Sequence, residues 1–408
     1  MKKRPDLLPE GVDDLDVVQL TTEPDVPSSH VYMEAQIFAP DSRRFVLHRS
    51  AHPHGSDRED PKHQFLVCDL ENGCELIPVT DEGGTMGPSV SPDGEFLYYF
   101  VDQTEVNGGR LTLKRVRLDG SGRETISVLD GPIPGTHFRP SRPYPLSTIS
   151  SDGERISISA FLGDGATTGA PFGLLVFDLA ADEVRLVIHG PTWCNFHPQY
   201  SRSLEAEASH DILIQENHGN VCDAQGVIQS LTGGDGADIH VIRDDGTQLR
   251  DLPWGRDGNE FCQGHQCWRG QSERAITSTS TREPQECQLI ESVAVDHVGH
   301  EGLRTPGGVR NDLSRVVDGP DFCHFATDID GVKFISDSGP RDSGGQLYLA
   351  DLPESEDGAL ENGRFLLRPG SSWQKTTHIH PFLSPDGTRG FFNSDESGVL
   401  QAYMVMGW

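Results

Sequence analysis

The chain has 408 residues, a formal net charge of −30, six lysines against 27 arginines, and 35% hydrophobic residues. Its acids are spread along the chain without a basic stripe, which excludes the phosphate-neutralising surface of a nucleic-acid binder. No apolar run is long enough for a helix to cross a bilayer, so no membrane partner is expected.

An acidic surface keeps a protein solvated and is also what adaptation to high salt produces. The 45 glycines and 27 prolines suit many short strands joined by turns rather than long helices.

Residues 1–16 are acidic and read as a loose N-terminal segment. Met1-Lys2-Lys3-Arg4 is basic, but no apolar core follows it, so it is not a secretory signal. The eight cysteines contain no C-x-x-C pair, and Cys262 and Cys267 stand nearest to a motif. A cytoplasmic protein with reduced thiols is expected. The apolar stretch Val17-Val18-Gln19-Leu20 reads as a strand.

A turn motif then recurs along the chain. Ala39-Pro40-Asp41-Ser42, Ser91-Pro92-Asp93-Gly94, Ser150-Ser151-Asp152-Gly153, Asp328-Ile329-Asp330-Gly331 and Ser384-Pro385-Asp386-Gly387 each precede an apolar run. Pro presets the second turn position and Gly suits the fourth. The long gap between the third and fourth copies hides two degenerate ones, at Ser201-Arg202-Ser203 and Arg269-Gly270-Gln271-Ser272. Seven units of a little under 60 residues with short strands are the signature of a propeller. The predicted fold is an all-β, seven-bladed β-propeller over residues 17–408. Its last blade, ending in Gln401-Ala402-Tyr403-Met404-Val405, is one strand short, and Val17 to Thr22 is the strand that closes the ring. The longest insertions are Gly219 to Gly236, Asp337 to Gly345 and Glu354 to Gly363.

Four residues before each turn stand Ala35, Gly87, Leu146, His197, His265, His324 and His380. The innermost strand of each blade lines the central channel, so the four histidines form an arc at one depth. His378 shares a strand face with His380, because side chains alternate along a strand. A His-x-His pair offers two imidazoles to one transition metal.

With Phe196-His197-Pro198-Gln199-Tyr200, Gly264-His265-Gln266-Cys267-Trp268, Cys323-His324-Phe325 and Thr377-His378-Ile379-His380-Pro381, the chain resembles the oligogalacturonate lyase family over most of its length. The resemblance implies a seven-bladed propeller with a divalent metal, typically manganese, in the channel. It implies β-elimination on a small anionic substrate, a short uronate oligosaccharide. By position, His324, His378 and His380 match metal ligands and His265 matches the general base. The chain departs from the family at two places. The family's fourth ligand, a glutamine, falls on Lys375, with Gln374 one residue off. Its substrate-binding arginine falls near Asp238, leaving Arg202 and Arg269 as replacements. His197 and Lys375 complete the expected substrate contacts, and Gln374 the expected metal shell.

The chemistry agrees with these residue types. Elimination removes the uronate C5 proton, which is weakly acidic while the neighbouring carboxylate is ionised. A metal can neutralise that carboxylate, and a histidine has a pKa suited to taking the proton. Two rival readings differ from this one. A non-enzymatic TolB-like propeller shares the turns but has no reason for channel histidines. A propeller hydrolase or lactonase would favour Asp, Glu and Asn ligands for calcium. The sequence sets no oligomeric state.

Overall fold

The computed structural model describes residues 1–408 except 53–54, 57–59, 61, 235, 255–257, 285, 304–306, 316–320 and 340–344; of Gly55 and Ser56 only the backbone is described. Seven antiparallel units follow one another among the described residues: four are separate four-stranded sheets, the fourth and fifth are joined in one nine-stranded sheet, and the seventh has five strands. The second is Thr85–Val90, Phe96–Glu105, Gly108–Arg117 and Glu124–Leu129, and the third and sixth repeat its simple meander. Neighbouring units contact each other in chain order, and the seventh returns to the first, so the units are blades of one ring. No helix among the described residues is long and apolar enough to cross a membrane.

The expected closure is present. Asp16–Gln19 pairs antiparallel with Gln401–Met406, supplying the fourth strand of blade seven. The segment before it is not loose, contrary to the expectation from its charge. Lys2–Lys3 adds a fifth strand beside Asp16–Gln19. Arg4 is buried and binds Glu396 through both outer guanidinium nitrogens, while Asp6 takes its Nε and Nη2. A buried arginine answered by carboxylates holds the segment against blade seven, which composition alone does not show.

Six of the seven expected turns occur; at Ser201-Arg202-Ser203 there is no turn, only Ser203 N–H on Ser201 Oγ at 3.1 Å, and the chain turns later, at residues 206–207. In the regular copies, Gly94, Gly153, Gly331 and Gly387 donate to the carbonyls of Ser91, Ser150, Asp328 and Ser384. The motif's serine has a further role: Ser91 Oγ donates to Asp93 Oδ1 at 2.5 Å and accepts from Phe96 N–H at 2.9 Å, tying the turn to its outgoing strand. The glycine is required at Gly94, where φ is +71° and a Cβ would lie 2.8 Å from Pro40 of the preceding blade. These turns form one rim of the ring. Ile329 N–H donates to the Pro385 carbonyl at 3.0 Å, and Asp386 N–H donates to Ser42 Oγ at 3.0 Å, joining blade seven back to blade one.

The opposite ends of the inner strands are irregular, and this positions the site. Gly87, His197 and His380 have φ of +55°, +45° and +44°, and each precedes a proline. In blade five the register shifts between Cys262 and Gln266, around Gly264 with φ +84°. Such bulges re-aim side chains next to functional sites. The expected strand through His378 and His380 is therefore corrected. Gln374 to Thr377 is a turn, with Thr377 N–H on the Gln374 carbonyl, and the inner strand is only Phe382–Leu383. Pro381 has no N–H for the ladder, and the left-handed His380 leaves strand geometry.

Candidate metal centre

His197, His265, His324 and His380 arrive on four successive blades, each at the end of the inner strand away from the turn, and His378 comes with His380 on blade seven. His324 opens blade six, just before Phe325–Thr327; it is 2% exposed. Its ring centroid lies 4.2 Å from that of His380, 4.7 Å from His265 and 5.2 Å from His378. His378 and His380 are 5.4 Å apart, so the pair does converge, by bulged backbone rather than by strand alternation. One ligand nitrogen from each of His324, His378 and His380 lies within 4.8 Å of the others.

Asp337 orients the centre. Its Oδ1 accepts from His324 N–H and its Oδ2 pairs with His324 Nδ1, both at 2.8 Å. It also accepts from the His380 backbone N–H. This fixes the imidazole and leaves its Nε2 on the side of the other rings, the arrangement in which a carboxylate holds a metal-binding histidine. Burial pushes the Asp337 carboxyl up to about 8. The sequence places Asp337 at the start of an insertion, whereas it is part of strand Lys333–Ser338; residues 340–344 of that insertion lie outside the described residues. The available signal was an acid at the end of the apolar run Phe334-Ile335.

His265 stands beside this group. Burial pushes its pKa well below the ordinary value, with the other imidazoles adding to the effect, so it is neutral at physiological pH. Its Nδ1 has no hydrogen-bond partner among the described residues. His197 differs. Its Nδ1 pairs with Glu34 at 2.8 Å and its Nε2 with the Tyr144 hydroxyl at 3.2 Å, so both nitrogens are engaged. Tyr32 links it to the centre, 5.1 Å from His197 and 4.6 Å from His380 between ring centroids. Trp373 packs on His378 at 5.1 Å. Cys323 also reaches His265 and His324, but burial pushes its thiol well up, which favours the imidazoles as donors.

The fold is similar to that of oligogalacturonate lyases. An oligogalacturonate lyase solved in complex with manganese superposes with a TM-score of 0.68 at 18% identity, covering 96% of this chain and 93% of its own. The oligogalacturonate lyase of Vibrio parahaemolyticus gives 0.70 at 15% identity, covering 97% and 94%. A prolyl endopeptidase gives 0.52 at 12% identity, but only 50% of that longer chain is covered. No protein-family model and no curated relative matches the sequence.

The remaining expected contacts separate. Lys375 is exposed at the rim, near enough for its charge to lower the pKa of His378, after the larger effect of burial. Gln374 is exposed too, and its amide donates to the Ser372 carbonyl at 3.4 Å rather than turning to the histidines. Arg202 and Arg269 do not reach the centre. They sit past the far end of the inner strand, roughly 13–16 Å from its histidine at extended-chain spacing. Arg202 donates to the Thr327 carbonyl at 3.3 Å and lines an apolar cavity of about 320 Å³ beside Ile37, Ile149 and Leu204 at the turn rim. Arg269 spends its guanidinium on the Gly331 and Pro353 carbonyls and Glu291. Both arginines hold blades together.

Proposed function

We propose that this chain is a metal-dependent lyase that cleaves short uronic-acid oligosaccharides, oligogalacturonate-like, by β-elimination. The observation that carries the reading is the convergence of His324, His378 and His380, with His265 free beside them, in a propeller that shares its fold with oligogalacturonate lyases. The three imidazoles suit manganese or a later divalent transition ion better than calcium. Such an ion supplies charge neutralisation at the uronate carboxylate, without which the C5 proton is not removable.

The chain's own groups do the rest. Asp337 fixes the tautomer and direction of His324. His265 takes the C5 proton on its open Nδ1, the C–H pair becomes the C4–C5 double bond, and the C4–O bond breaks with its electrons on the leaving sugar. That oxygen ends with one proton and His265 gives up the one it took, so the balance closes and no water is added. His197, held by Glu34 and Tyr144, positions the sugar, and Lys375 at the rim attracts its anionic remainder. A reducing compartment suits the eight unpaired cysteines, and we place the reaction in the cytoplasm.

Product analysis tests this. Incubation with manganese and short oligogalacturonates is expected to give fragments whose masses sum to the substrate, one carrying an ultraviolet-absorbing double bond. Fragments heavier by one water in total would indicate a hydrolase.

A further inference from the structure

A second histidine cluster lies outside the channel, on blade four at the end that carries His197. Glu216 and Asp238 face each other across strands Asp211–Asn217 and Ala237–Arg243. His218 follows the first strand, and His300 arrives from the short helix Gly299–Leu303, which belongs to the connection after blade five's third strand. His218 Nε2 meets Asp238 Oδ2 at 2.7 Å, and His300 Nδ1 straddles the same carboxylate, 3.0 Å from Oδ2 and 3.1 Å from Oδ1. Their rings lie 4.0 Å apart. Glu216 Oε2 is 3.7 Å from His218 Nε2.

These atoms are held from behind. Trp254 Nε1 donates to the other oxygen of Asp238 at 3.0 Å. His240 spans Glu216 Oε2 at 3.4 Å and Asp251 Oδ1 at 2.7 Å. Asp251 accepts from the Val298 and Gly299 N–H groups at 2.7 and 3.2 Å, anchoring the segment that presents His300. Asp238 and Asp251 are buried, yet the ion pairs of Glu216, Asp238 and Asp251 among the described residues are all with histidines, none with lysine or arginine. Against the opposing effect of burial, these carboxylates raise the pKa of His218, and of His240 to about 9, so an ion at His218 would take the place of its proton. Adjacent ligands at about 2.1 Å from one ion stand about 3.0 Å apart in octahedral and about 3.4 Å apart in tetrahedral coordination, and the spacings here, 2.7, 3.0 and 3.7 Å, bracket that range.

We propose that His218, Asp238 and His300, with Glu216, bind a second divalent transition ion, distinct from the channel centre. Two imidazoles and two carboxylates suit zinc, cobalt or manganese. The ion pins the Val295–Leu303 stretch, whose Val295–Asp296 pairs with Arg250–Asp251, onto blade four beside the channel mouth.

The test is a titration of the metal-free full chain with cobalt(II), read by calorimetry and visible absorption. Two ions per chain are expected, one lost in His218→Gln/His300→Gln and the other in His378→Ala/His380→Ala. A single ion lost only with His378 and His380, or two ions that both survive the blade-four changes, would overturn the proposal. A single ion lost only with His218 and His300 would support it and count against the channel centre instead. Should the blade-four double variant fail to fold, Trp254→Phe decides: removing this supporting bond is expected to weaken the second ion about 10- to 100-fold, and unchanged affinity contradicts it.

Discussion

Blade one and the channel both bury histidines, and they bury them differently. In blade one, His30 Nε2 pairs with the Tyr403 carbonyl at 2.9 Å and His48 Nε2 with the His30 carbonyl at 3.3 Å. His63 takes the Arg49 and Thr85 carbonyls, both at 3.1 Å. Their rings pack on Phe45, Phe65 and Phe391. In the channel, imidazoles face imidazoles, and one of them, His265, keeps an open nitrogen. Burial lowers the pKa in both places. Burial and a depressed pKa therefore do not mark a functional histidine. The difference lies in whether backbone carbonyls satisfy the rings or the rings converge on a shared point.

Removing one ring from the channel breaks the comparison most sharply. His265→Ala is expected to keep fold and metal content but lose turnover by roughly 10²–10⁴-fold, the worth of a positioned base. His197→Ala is expected to lose less and mainly through KM, since both its nitrogens are already engaged. Steady-state kinetics of the two variants on the same uronate substrate decides. Collapse in the His197 variant with a near-normal His265 variant would exchange their roles.

The blade-one rings give a smaller effect, on stability. Burial, acting against the Tyr403 carbonyl, holds His30 at about 3, below its unfolded value near 6.5, and His48 and His63 are lowered too. The unfolded chain therefore binds protons first. Stability from these rings is complete above about pH 6.5 and is lost as pH falls toward the folded values. Each unit is about 1.4 kcal/mol per ring, so denaturant unfolding at pH 7 and pH 5 is expected to differ by a few kcal/mol, above the range where most carboxylates titrate. Identical stability at the two values would place these histidines in contact with solvent.

The two ends of the inner strands were legible to different degrees. The turn rim follows from local chemistry, since Ser, Pro, Asp and Gly each have a role within four residues. The degenerate turn at Arg269 falls where the repeat requires, whereas the copy at Ser201 is extended and the chain turns only at residues 206–207. The histidine register was legible for the same reason, because it counts back from those turns. What the sequence hid is non-local or depends on bulges. His378 and His380 converge although the strand drawn through them is absent. Asp337 supports His324 from thirteen residues away, across the blade. Arg202 and Arg269 have the charge for a uronate but sit past the wrong end of their strands. Arg4 anchors a segment whose composition reads as disordered, through Glu396 at the other end of the chain.

The claim at the centre is that the channel histidines hold the ion on which uronate elimination depends. Metal content and formation of the unsaturated product, measured together on wild type and on His378→Ala/His380→Ala, test it directly. The expected result is loss of one ion per chain and of product formation, with the fold intact by circular dichroism. An unchanged ion count, or product formed at the wild-type rate without that ion, would contradict it.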